Sequence, residues 1–101
     1  MSVAIEVDRA QLAGVCRRYH VRSLSLFGSA VRNELRPESD IDFLIEFDAA
    51  HRPGMVEFHR LEQELSALYG GRRVDLVNPK YLNHRIRGRV LAEAELQFAE
   101  G

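Results

Sequence analysis

Apolar residues recur along this chain with two different periods, and the switches between them mark out its elements. After Asp8, residues Leu12, Val15, Cys16 and Tyr19 repeat at helical spacing, and Asp8 with Gln11 three positions on has the form of a capping box. This predicts a helix over residues 8–20, with Cys16 on its core stripe. Residues 22–27, RSLSLF, alternate up to Gly28 and predict a short strand. A short helix over 29–35, closed by Pro37, follows. Residues 40–47, DIDFLIEF, give the clearest strand: Ile41, Phe43, Ile45 and Phe47 share one face, and Asp40, Asp42, Leu44 and Glu46 the other. After a turn at Arg52, Pro53 and Gly54, residues 55–69 predict a helix that turns Met55, Phe58, Leu61, Leu65 and Leu68 to the core. Gly70 and Gly71 end it. Residues 73–77, RVDLV, predict a third strand, stopped by Asn78 and Pro79. The last helix is expected over about 80–98, carrying Leu82, Ile86, Val90, Leu91 and Phe98 and interrupted by Gly88.

Helix, strand, helix, strand, helix, strand, helix is the order of a small α/β (α+β) fold, a mixed sheet with helices packed on at least one face. A length of 101 residues allows a single domain, 1–101. The composition, 46% hydrophobic and 29% charged, is that of a globular chain rather than a disordered one. No apolar run is long enough to span a bilayer, the N-terminus lacks the pattern of a secretory signal, and Cys16 has no cysteine to pair with. These point to a cytoplasmic protein. A net charge of −1 argues against a dedicated nucleic-acid binder. The arginines nonetheless cluster, as Arg72 with Arg73 and as Arg85, Arg87 and Arg89, where they could meet a phosphate or an acidic partner. The four histidines, His20, His51, His59 and His84, have no metal-ligand spacing and read as surface or packing residues. Tyr69 and Tyr81 flank the third strand, where core packing is favoured over stacking on a base.

Chemistry concentrates in residues 27–47. Gly28-Ser29 stands where a strand meets a helix: glycine permits a tight turn and the close approach of a ligand, and a helix start favours phosphate. Taken alone, the pair is common and reads more simply as a tight turn with Ser29 as a helix cap. Arg32, one turn later, could add charge. Asp40-Ile41-Asp42 puts two carboxylates on one strand face, where they repel one another; magnesium, which takes hard oxygen ligands and leaves positions for substrate phosphates, removes the conflict. Taken alone, the pair could also be a charged strand end facing water. Asp75 lies at the centre of the 73–77 strand. If that strand neighbours 40–47, Asp75 faces the same cleft, and three carboxylates can hold two metal ions. Otherwise it is an acid on an exposed edge.

Ten residues, 30–39, separate Ser29 from Asp40, with Asp42 next but one. With the later acid, this spacing resembles the DNA polymerase β-like nucleotidyltransferases. Among them the chain looks most like the minimal nucleotidyltransferases (MNT), many of which are antitoxins paired with HEPN-domain toxins. The matching stretches are FGSAVR (27–32), SDIDFLI (39–45) and VDLV (74–77). The resemblance implies that Gly28 and Ser29, assisted by Arg32, hold the phosphates of ATP. It further implies that Asp40, Asp42 and Asp75 bind Mg2+, and that Asp75 activates the acceptor hydroxyl. The expected activity is transfer of AMP, with pyrophosphate released. Larger relatives carry a helical domain that helps form the acceptor site, and this chain has no room for one, so a protein partner is expected to complete it. By resemblance that partner is a HEPN toxin modified on a tyrosine. Two other readings stand beside this one: an antitoxin that neutralises its toxin by contact alone, and an enzyme that modifies a small molecule such as an aminoglycoside. The last helix, with its arginines and its apolar stripe, reads as core packing, or as a docking surface for a partner or a second copy.

Overall fold

The computed structural model describes residues 7–31 and 39–100. Helix α1 (Arg9–Arg18) starts where expected: the Asp8 carboxylate accepts hydrogen bonds from the Ala10 and Gln11 backbone N–H groups, satisfying two of the donors a helix start leaves open. Strand β1 (Val21–Phe27) leads into a 3₁₀ turn at Gly28–Ala30. Strand β2 (Ile41–Phe47), helix α2 (Met55–Leu68) and strand β3 (Val74–Val77) follow. Beyond a second 3₁₀ turn, Pro79–Tyr81, come helix α3 (His84–Glu93) and strand β4 (Glu95–Ala99). The remainder of the helix expected at 29–35, Arg32 included, lies outside the described residues.

The four strands form one mixed sheet in the order β3-β2-β1-β4. β1 pairs antiparallel with β2 and with β4, and β2 pairs parallel with β3. A parallel pair needs a crossover, and α2 supplies it. The core lies on one sheet face. Ile41, Phe43 and Ile45 of β2 and Leu24 and Leu26 of β1 pack there against Leu12, Val15 and Cys16 of α1 and Leu61 and Leu65 of α2. The helices are tied across their outer sides by Glu64, which receives Arg18 as an ion pair and the Tyr19 hydroxyl as a hydrogen bond. The bond to Glu64, helped by burial, raises the Tyr19 pKa. Burial pushes the Cys16 thiol up to about 12, so at neutral pH it is an inert packing group with no thiolate to react. Leu61 is completely buried. Leu61→Ala is expected to cost about 2–5 kcal/mol, a large share of the roughly 5–15 kcal/mol that holds a typical domain; urea unfolding followed by circular dichroism measures it.

The last quarter of the chain, beyond β3, departs from the sequence reading. The helix expected over 80–98 is a short helix followed by β4. Pairing with β4 occupies the edge of β1 opposite β2, and the tertiary hydrogen bonds override a helical pattern of apolar residues. The strand was hidden because Leu24 pairs with Phe98 while Ser25 pairs with Leu96, leaving Gln97 as a bulge. The bulge puts Phe98 in the core and Leu96 on the opposite face, so two-residue alternation is broken. The expected core stripe of the last helix is also overturned. Helix α3 buries no residue completely, and Ile86 and Leu91 are each 48% exposed. Met55, expected in the core, is 91% exposed because it opens α2 ahead of the stretch that crosses the sheet. Tyr69 is buried, whereas Tyr81 is exposed. Arg87 is structural: its guanidinium donates to the carbonyls of Pro79, Lys80 and Leu82, fixing the turn after β3.

Candidate active site

The carboxylates stand on the sheet face opposite the main core. On β2, Ile41 and Phe43 point into the core cluster and Asp42, between them, points away. On β3, Val74 and Leu76 pack on the core and Asp75 points away. The parallel register pairs Asp42 directly with Asp75. Neighbouring strands lie about 4.8 Å apart, so the two acids are side by side. The sequence could place Asp75 in this cleft only on condition that its strand adjoins β2, and the structure meets that condition.

On the other side of β2, Phe27, the last residue of β1, pairs with Asp42. Gly28 follows with φ +74°, and a Cβ placed on it would stand 2.7 Å from Asp42 Oδ2. Only glycine lets the backbone turn here and lie against the carboxylate. The Gly28–Ala30 turn closes with the Val31 N–H donating to the Gly28 carbonyl at 3.1 Å. Gly28, Asp42 and Asp75 thus form a row across three adjacent strand ends. Asp40 precedes β2, is exposed, and shares the rim of a cleft with Asp75.

Among the described residues, no three His, Cys, Asp or Glu side chains converge as a ready metal cage. The adjacent Asp42–Asp75 pair nonetheless fits magnesium, which takes one or two carboxylates from a protein and its other ligands from water and substrate phosphates. A side chain at Gly28 would collide with the Asp42 carboxylate, so glycine is what lets the backbone lie against it. Ser29 belongs to the turn, and Arg32 lies outside the described residues.

A model of the nucleotidyltransferase domain matches residues 9–96. The chain belongs to the minimal nucleotidyltransferases. It is 42% identical over 76 residues to the protein adenylyltransferase MntA of Thermococcus cleftensis, covering 75% of this chain and 74% of that protein. A minimal nucleotidyltransferase of solved structure superposes with a TM-score of 0.67 at 35% identity, over 85% of both chains. The fold alone is shared with the MNT antitoxin complexed with tri-AMPylated Shewanella oneidensis HEPN toxin (TM-score 0.58, 18% identity, 91% of this chain and 70% of that one).

One part of this minimal nucleotidyltransferase escaped the sequence reading. The cleft edged by Asp40 and Asp75 is closed on its far side by the polar face of α2, with His59, Glu62 and Gln63, and by Arg73 just ahead of β3. The signal was available: His59, Glu62, Gln63 and Ser66 repeat at helical spacing.

Proposed function

We propose that this minimal nucleotidyltransferase transfers AMP from Mg2+-bound ATP to a tyrosine hydroxyl of a partner HEPN-domain toxin and acts as its antitoxin, in the cytoplasm. The observation that carries the reading is the row formed by Gly28, Asp42 and Asp75, a backbone cradle beside two adjoining carboxylates. The protein acceptor is supported by the activity for which the Thermococcus relative is named, and the HEPN partner by the AMPylated toxin held by the Shewanella antitoxin.

In this reading Gly28 and Ser29 receive the β- and γ-phosphates, with Arg32 adding charge, while Asp42 and Asp75, joined by Asp40, hold magnesium. Magnesium, when bound, neutralises the phosphate charge and the charge that develops during transfer. The acceptor oxygen forms a bond to the α-phosphorus as the bond from that phosphorus to the bridging oxygen breaks, and pyrophosphate leaves with the electron pair. Asp75 accepts the acceptor's proton. The protein contributes position and preorganised charge more than covalent chemistry.

Co-expression with the protein encoded by the neighbouring gene tests the whole reading. Intact-mass spectrometry is expected to show that partner heavier by one or more AMP units with the unaltered chain, and unmodified with Asp42→Asn. A partner bound tightly yet unmodified in both cases would replace this reading with neutralisation by contact.

A further inference from the structure

We propose that the cleft between α2 and the leading ends of β2 and β3 receives the acceptor's aromatic hydroxyl side chain, and that Arg73 recognises its ring. This rests on the AMP-transfer reading and adds the place and chemistry of the acceptor. In phosphoryl transfer the attacking and leaving oxygens lie roughly in line through the phosphorus. In the AMP-transfer reading the phosphates that leave are held on the β1 side, where Gly28 turns against Asp42. The acceptor must then approach from the opposite side, past Asp75 on β3, which is the outer strand there.

An open cleft lies on that side. It encloses about 730 Å³, within the roughly 300–1,000 Å³ of small-ligand sites. Its rim carries the acids Asp40, Glu62 and Asp75. His59 is 3.7 Å from Glu62, so that histidine already faces a carboxylate. Arg73 also lines the cleft, it is exposed, and its guanidinium has no ion pair among the described residues. A guanidinium is flat and weakly hydrated, and it stacks on aromatic faces in a way that an ammonium does not. Beside Asp75, it suits a phenol whose hydroxyl must reach that carboxylate. A sugar or serine hydroxyl would offer it no ring.

The test is Arg73→Ala, made both in the unaltered chain and in an Asp42→Asn background, where transfer is expected to be at least about 100-fold slower. The probe is the partner protein encoded by the neighbouring gene. In the unaltered chain, the KM for the partner is expected to rise about three- to thirtyfold, with Mg·ATP affinity and thermal midpoint unchanged. In the Asp42→Asn background, the affinity for the partner is expected to fall by a similar factor. Transfer with an unchanged KM would overturn the proposal, as would a loss confined to Mg·ATP affinity, which would assign Arg73 to the nucleotide. An unaltered chain that transfers nothing would sink the AMP-transfer reading instead, and the binding measured without transfer would still decide the cleft.

Discussion

Asp42→Asn is expected to reduce AMP transfer by at least about 100-fold, the scale on which loss of a single charge-stabilising group acts in an active site. Asn keeps the shape of the side chain and removes its charge. Asp42 faces away from the main core and is only half-buried, so the packing that holds the sheet is untouched. Substitutions away from the core and from special backbone positions usually stay within about 0.5 kcal/mol, which for a domain this size corresponds to a shift of about 2–4 °C in thermal midpoint. The metal loses more. Magnesium draws on hard, charged oxygens, and in the proposed reading an amide in place of Asp42 would take away the carboxylate that pairs with Asp75 across the two strands. Calorimetric titration with Mg·ATP is therefore expected to show weakened binding in a protein whose melting curve is nearly normal. A variant that melts normally and transfers at the unaltered rate would remove Asp42 from the site altogether.

The sequence reading anticipated which way the carboxylates of β2 face and misjudged the last quarter of the chain, for separate physical reasons. Asp40-Ile41-Asp42 was legible because strand alternation is rigid: once Ile41, Phe43 and Ile45 enter the core, as they do, Asp42 must face away. Gly28 was legible because a glycine between a strand and a polar turn reports a backbone that another residue cannot follow, and its φ of +74° bears that out. The pairing of Asp42 with Asp75 was not fixed by local pattern, since register between distant strands depends on the crossover helix and the whole core. Residues 95–99 were misread because a bulge at Gln97 breaks the two-residue rhythm by which a strand is recognised. The exposed apolar residues of α3 were misassigned because a helical stripe states only that one face is apolar. It does not state what covers that face.

Gly28→Ala separates the backbone's role in catalysis from its role in folding, and Gly70→Ala is its control. Both glycines sit at positive φ, +74° and +80°. A non-glycine residue there costs about 1–2 kcal/mol, so both variants are expected to lose stability to that extent in urea unfolding. Their surroundings differ. An added Cβ at Gly70, after the end of α2, meets nothing within 4 Å. At Gly28 it stands 2.7 Å from Asp42 Oδ2, far inside contact distance. The carboxylate is the end of a side chain and can turn aside at little cost to the fold, but in the proposed reading turning aside would move a metal ligand and fill the approach to the phosphates. A misplacement of about 1 Å at a reacting centre can cost on the order of 100-fold. The expected result is two proteins of similar stability, of which Gly70→Ala transfers AMP at the unaltered rate and Gly28→Ala loses about 100-fold. Equal activities in the two would mean that the turn after β1 serves the chain alone, and that the phosphates rest elsewhere on the sheet.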